Sequence, residues 1–163
     1  MLDIPKVPFT RLFGFIDILN HMNGKSDIAA ISFKEELELD DILPILETGK
    51  MFNLIEVNSG HVSITDKGYL LLAATPAQRS LILKDAVTNL KPFQSFIDLI
   101  KQSEKGYITK HDLMQYFSAN YSDDDYYEFI NNFDRFIGWG RITLLIHYDS
   151  IKETIRLRNE GVT

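Results

Sequence analysis

The sequence predicts a mainly helical α+β chain with small β-hairpins, assembled from two similar units in tandem. Two observations predict this. An apolar helical stripe recurs with the same spacing and nearly the same words, and each copy is followed by the same order of helix, helix and hairpin signals. Composition agrees: 163 residues with 45% hydrophobic and 25% charged side chains can fold as one ordinary domain or two small ones.

Leu12, Phe15, Ile16 and Leu19 stand at i, i+3, i+4 and i+7, which places them on one side of a helix. Phe93, Phe96, Ile97 and Ile100 repeat that spacing 81 residues later. Phe15-Ile16-Asp17-Ile18-Leu19 corresponds to Phe96-Ile97-Asp98-Leu99-Ile100, the mark of a duplicated supersecondary unit.

In the first half Asn23-Gly24-Lys25-Ser26 reads as a turn, and Asp27 as the cap of a short helix to about Glu36. A third helix is expected from about Asp41 to Asn53, with Pro44 in its first turn and Ile42, Ile45 and Leu46 on its buried side. Leu54–Val57 and His61–Ile64 then alternate around Asn58-Ser59-Gly60, a hairpin signal.

The second half follows the same plan. Gly106 is the expected C-cap of the first helix, and Thr109 with Asp112 forms a capping box that opens the second, to about Asn120. Ser122 caps a third helix whose first turn holds Asp123, Asp124 and Asp125 and whose stripe is Phe129, Ile130, Phe133, Phe136 and Ile137. Gly138-Trp139-Gly140-Arg141 reads as a tight turn, followed by strands at Ile142–Tyr148 and Thr154–Leu157 around Asp149-Ser150.

Three helices closed by a β-hairpin, twice, is the winged-helix plan. The expected boundaries are 1–68 and 91–163 for the units and 69–90 for a connector. Leu70, Leu71, Leu72, Leu81, Ile82 and Leu83 make that connector too apolar for a flexible linker, so a packed helical segment with a restart at Pro76 is expected.

No catalytic set is recognisable. The chain has no G-x-x-x-x-G-K-[ST] loop and no G-x-G-x-x-G between a strand and a helix, so no nucleotide site is expected. His21, His61, His111 and His147 lack ligand spacing. His61 and His147 fall in the two hairpins, in related places, as surface histidines. The Asp123–Asp125 run lacks the glycine and distal glutamate of a calcium loop and reads as compensation of a helix dipole. Without cysteine there is neither a disulfide framework nor a thiolate metal site, which fits a reducing compartment. No cofactor and no metal is implied. The start, Met1-Leu2-Asp3-Ile4-Pro5, lacks the pattern of a signal peptide, and no apolar run reaches the roughly 18 residues of a membrane span, so a cytoplasmic location is expected.

Charge argues against the commonest use of the plan. The third helix of a winged-helix unit is the one that enters the major groove of DNA. The chain carries a net charge of −6, and neither half is basic. Asp40, Asp41 and Glu47 oppose one Lys50 on the first of these helices, and Asp123, Asp124, Asp125, Glu128 and Asp134 oppose Arg135 on the second. Carboxylates set against phosphates weaken binding, so a protein partner is favoured over nucleic acid. A transcription regulator that touches DNA through Lys152, Arg156 and Arg158 is the alternative. Phe13, Phe33, Phe52, Phe117 and Trp139 are assigned to apolar stripes or strand entries. Tyr126, Tyr127 and Tyr148 suit a protein interface.

From about Ile4 to Leu157 the chain resembles the C-terminal AAA-associated domain, the region after the nucleotide-binding domain in some ATPase subunits of nitrate/sulfonate/bicarbonate-type ABC transporters. The resemblance rests on Pro5-Lys6-Val7 with Arg11-Leu12-Phe13-Gly14-Phe15, then Leu39-Asp40-Asp41-Ile42-Leu43-Pro44 and Ile64-Thr65-Asp66-Lys67-Gly68. It ends with Trp139-Gly140-Arg141 and Tyr148-Asp149. Ile142-Thr143-Leu144-Leu145 departs from the family's aromatic, alanine and acidic residues, so an interface built there differs in this chain. The resemblance implies a cytosolic, non-catalytic accessory region acting through protein contacts. Its partner would be a transporter ATPase or permease subunit, or a second copy of the chain, with the membrane met only through the transporter. No Ser-Gly-Gly-Gln signature is present, and a piece of an ATPase subunit and a free-standing relative both stay open. The candidate interaction residues are Trp139, Arg141, Tyr148, Asp149, Asp40, Asp41, Tyr126 and Tyr127.

Overall fold

The computed structural model describes residues Leu2–Arg158, which divide into two compact units. The first unit, Pro5–Ile82, opens with helix α1 (Phe9–His21), which buries Leu12, Phe15, Ile16 and Leu19 as the stripe requires. Asn23 and Gly24 adopt positive φ (64° and 82°), and the Gly24 N–H returns to the Leu19 carbonyl at 2.8 Å, ending the helix. Lys25 and Ser26, expected as part of a turn, instead form with Asp27 a short strand, β1. It pairs with the hairpin, and in that role its backbone groups meet partners a bare turn would leave to water.

The Asp27 side chain caps α2 (Ile28–Glu35) by accepting the Ala30 N–H at 2.6 Å. Helix α3 (Leu39–Met51) buries Ile42, Ile45 and Leu46. Pro44 falls in its second turn, not the first. The proline removes the donor that would serve the carbonyl of Asp40, but Asp40 is exposed and water can replace it. Strands β2 (Ile55–Asn58) and β3 (His61–Ile64) form the wing. They join through Ser59 and Gly60, both at positive φ (50° and 80°), as a two-residue hairpin turn demands. The sheet order is β1-β3-β2, all antiparallel. Thr65 caps α4 (Asp66–Ala73), and α5 (Pro76–Thr88) starts at the expected proline.

The second unit comprises the described residues from Leu83 onward together with Leu2–Ile4. Helix α6 (Lys91–Gln102) buries Phe93, Phe96 and Ile100. It ends at Ser103, ahead of Gly106, whose φ of 73° serves the following loop. Strand β4 (Ile108–Thr109) precedes α7 (Lys110–Asn120), and the Thr109–Asp112 capping box is present with both bonds at 3.0 Å.

The expected third helix is two helices, α8 (Asp123–Asn131) and α9 (Phe133–Ile142). They break at Asn132 (φ −118°, ψ 18°), whose amide donates to the Glu128 carbonyl at 2.8 Å while its Oδ1 accepts from Arg135 at 2.9 Å. Asparagine competes with the helical ladder through such local bonds. Gly138–Arg141 is therefore helical, not a tight turn, and β5 (Ile146–Asp149) begins four residues later than expected before β6 (Thr154–Leu157). Order β4-β6-β5 repeats that of the first sheet.

Two glycines fix how the units correspond. A Cβ on Gly49 would lie 2.7 Å from Ile55 Cδ1 and 3.3 Å from Leu12. A Cβ on Gly140 would lie 2.5 Å from Ile146 Cδ1 and 3.2 Å from Phe93. In each unit, then, a glycine lets the wing's first isoleucine and the first helix close on the third helix. The helix exits match as well: Leu54 N–H to Gly49 O and Leu145 N–H to Gly140 O are both 2.9 Å, after Asn53 and Leu144 at φ 57° and 55°. Leu12 and Phe93 are the very pair matched by the sequence repeat. Helix α9 thus takes the place of α3, and the nine-residue α8 is an addition to the second unit. The core there is aromatic: Phe93 stacks on Phe136 at 4.5 Å and Phe117 on Phe129 at 4.0 Å.

Candidate functional site

The second wing and α9 gather four of the candidate residues. Trp139 is 1% exposed and anchors the helix in the core, so it offers a partner no surface. Arg141, the penultimate residue of α9, is exposed; its Nη2 donates to the Tyr148 carbonyl at 2.9 Å, and its guanidinium lies 5.5 Å from the Tyr148 ring. Tyr148 is half-buried, edge-on to Phe133 at 5.6 Å. Burial pushes its phenol above the usual tyrosine range, Glu153 and Asp134 push the same way, and Arg141 opposes them. Asp149 Oδ1 accepts the N–H groups of Ile151 and Lys152 at 3.0 and 3.1 Å, an Asx turn that shapes the wing tip. Those bonds, the one from Lys152 first, hold its carboxyl below the usual range. Arg141, Tyr148 and Asp149 are therefore one linked group, joined by structure within the wing. Ile151, which they leave at the tip, is 92% exposed.

Tyr126 and Tyr127 sit elsewhere, on α8. Tyr126 is half-buried, Tyr127 is 61% exposed, and their rings are 5.5 Å apart. Asp40 and Asp41 stand in the first turn of α3, in the first unit, both exposed. The candidates thus form three surfaces and not one.

The histidines do not occupy related places. His61 begins β3, opposite Asn58, whereas His147 lies in β5, opposite Arg156. Among the described residues no group of three or more His, Asp or Glu is placed to hold a metal ion, and no helix is long and apolar enough to cross a membrane.

The acidic reading of both third helices holds for one. On α3, Asp40, Asp41 and Glu47 still outnumber Lys50. In the second unit Asp123, Asp124, Asp125 and Glu128 belong to the added α8, and α9 itself carries Asp134 against Arg135 and Arg141. The break at Asn132 moved the carboxylates off the helix that counts.

Apolar side chains also reach the surface where the sequence pattern predicts burial or gives no signal. Phe33, expected in the core, is 89% exposed on α2. Leu39 and Leu43 are 51% and 43% exposed on α3. Leu70, Ala73, Ala74, Gln78, Leu81 and Ile82 line an open groove of about 420 Å³ formed by α4 and α5. The run Leu70-Leu71-Leu72 held the signal: a helix turns about 100° per residue, so three consecutive leucines cannot all face a core. Leu71 does, and Leu70 does not.

Compared with known families, residues 30–149 match the C-terminal AAA-associated domain. The chain belongs to this family. The match runs from within α2 to the end of β5, and so includes α3 and the Arg141–Tyr148–Asp149 group of this AAA-associated domain. Neither the curated proteins nor the solved structures compared with the chain gave a match.

Proposed function

We propose that this AAA-associated domain is a non-catalytic accessory region. It would regulate or couple the ATP-binding subunit of a nitrate/sulfonate/bicarbonate-type ABC importer through protein contacts, on the cytoplasmic side. The family match over residues 30–149 carries this reading. The surfaces support it, since α3 and the α4–α5 groove offer apolar side chains to solvent, and contiguous apolar exposure is characteristic of partner sites. Fold alone would not argue for it, because one fold hosts many functions.

The test is co-purification of the tagged chain from its native host, followed by ATPase assays of whatever ATP-binding subunit comes with it. An importer ATPase subunit should be recovered, and its rate should change when the chain is added back. Recovery of chromatin proteins with no transporter component would refute the reading.

A second reading, DNA binding, draws on one observation: α9 carries Arg135 and Arg141, and the wing adds Lys152, Arg156 and Arg158. Two of these are engaged within the chain, Arg135 on Asn132 and Arg141 on Tyr148. Fluorescence anisotropy with a random duplex at low salt separates the readings. Little binding is expected below ~100 μM, the weak end of non-specific affinity, and salt-sensitive micromolar binding would favour DNA.

A further inference from the structure

The solvent face of α3 is unlike that of its counterpart. A helix turns about 100° per residue, which puts Leu43, Glu47, Asp40 and Met51 within one third of its circumference, with Leu39 and Lys50 at its border. Leu39, Leu43 and Met51 are 51%, 43% and 40% exposed. Asp40 and Glu47 lie among them, also exposed, and neither is held by a hydrogen bond or ion pair from another side chain among the described residues.

The fold does not require this face. By the equivalence of Gly49 with Gly140, Leu43 corresponds to Asp134 and Glu47 to Gly138, so α9 packs without an exposed leucine at that position, while Leu39 corresponds to Ile130, on α8 and 36% exposed. Leu43, a leucine at a position that packing leaves free and flanked by carboxylates, exposes apolar area beside Leu39 with nothing in the unit to cover it.

We infer that this face of α3 is a docking surface for a basic amphipathic helix of a partner protein, whose apolar ridge covers Leu39 and Leu43 while its lysines or arginines meet Asp40 and Glu47. The charge selects that occupant. A polyanion is repelled by Asp40, Asp41 and Glu47. An uncharged apolar helix would leave the carboxylates beside it without a counter-charge in a contact partly stripped of water. Leu39 and Leu43, one turn apart, form a short apolar ridge against which the anchors of a partner helix can pack. The inference rests on the accessory, protein-binding reading above and gives its partner a chemistry.

The probe is a fluorescein-labelled helical peptide of about 18 residues, with leucines at i, i+3, i+4 and i+7 and lysines elsewhere. It is titrated against the full chain and four double variants. Leu39→Ser/Leu43→Ser and Asp40→Asn/Glu47→Gln should each weaken binding about tenfold or more. Asp123→Asn/Asp124→Asn, equal in charge change, and Leu70→Ser/Leu81→Ser, equal in apolar loss, should each leave it within about twofold. Replacing the peptide's lysines by glutamates should abolish binding to the unaltered chain.

Equal losses in all charge variants would reduce the effect to general attraction to an acidic protein and overturn the inference. A loss confined to Leu70→Ser/Leu81→Ser would overturn it by placing docking in the α4–α5 groove. A dimer in sedimentation that dissociates in Leu39→Ser/Leu43→Ser, or duplex DNA binding lost in the same variant, would overturn it by naming another occupant. Should the leucine variant unfold by circular dichroism, the Asp40→Asn/Glu47→Gln pair carries the decision. Co-purification of the ATPase subunit with Leu39→Ser/Leu43→Ser intact would sink this inference and leave the functional reading standing. The expected peptide pattern without any transporter partner would do the reverse.

Discussion

Replacing Gly140 by alanine sets two effects of known sign against each other. Glycine within a helix is about 1 kcal/mol less favourable than alanine, so on an open helix face the change would stabilise. Here the new Cβ would lie 2.5 Å from both Cγ1 and Cδ1 of Ile146, a side chain 2% exposed that has little room to yield. Overpacking a filled core costs about 1–3 kcal/mol. The net expectation is a loss of up to about 2 kcal/mol, at roughly 4–8 °C of melting temperature per kcal/mol for a unit of this size. With Ile146→Ala in place the 2.5 Å obstacle is gone and only the Phe93 ring edge at 3.2 Å remains, so Gly140→Ala should then cost clearly less than in the unaltered chain, or stabilise by up to about 1 kcal/mol relative to Ile146→Ala alone. Urea unfolding followed by tryptophan fluorescence suits the question, because Trp139 is the only tryptophan, is buried, and adjoins the altered position. A coupling near zero between the two substitutions would refute the wedge, as would a Gly140→Ala protein at least as stable as the unaltered chain.

Gly68→Ala should be more damaging, because its Cβ would run into the carbonyl oxygen of Leu54, which also accepts the Thr65 N–H, and backbone cannot step aside. A loss of about 2–3 kcal/mol is expected in thermal unfolding followed by circular dichroism. Thr109→Ala should cost about 1 kcal/mol by removing the cap of α7. Bonds from Thr109, its backbone N–H first, lower the Asp112 carboxyl, so their contribution is present above the ordinary carboxylate range and lost as pH falls through the lowered value. Asp112→Asn should therefore be least stable relative to the unaltered chain near neutral pH, the gap closing in acid melts. Asp149→Ala should speed hydrogen exchange at the Ile151 and Lys152 amides with little change in global stability, since the wing tip is exposed.

Local chemistry carried most of the fold. The stripes at Leu12–Leu19 and Phe93–Ile100, the caps at Asp27, Thr109 and Ser122, and the restart at Pro76 are short-range signals, and a sequence displays them directly. Long-range pairing was not legible. Lys25–Asp27 and Ile108–Thr109 are strands only because β3 and β6 lie beside them. Gly140 resembles a turn residue until Ile146 and Phe93 are seen against it. The break at Asn132 also escaped the period, because Phe129, Phe133 and Phe136 stay in helical phase across it, and all three are buried. That one residue decided which helix owns the aspartates, and with it half of the charge argument. Of the candidate site, the Arg141–Tyr148–Asp149 group was legible through the family's motifs, although its members mainly hold one another.

The glycine wedges bear on how freely the two units can differ. Each is closed from within by a first-helix side chain, a third-helix glycine and a wing isoleucine, none of which points to solvent. The outward side of the third helix is absent from that lock, so substitutions there leave the hinge of wing and helix untouched. The second unit even accommodates an added helix just upstream without disturbing the match of Gly140 to Gly49. Two units built on one plan have exteriors that can diverge, while the same internal lock keeps each in its own shape.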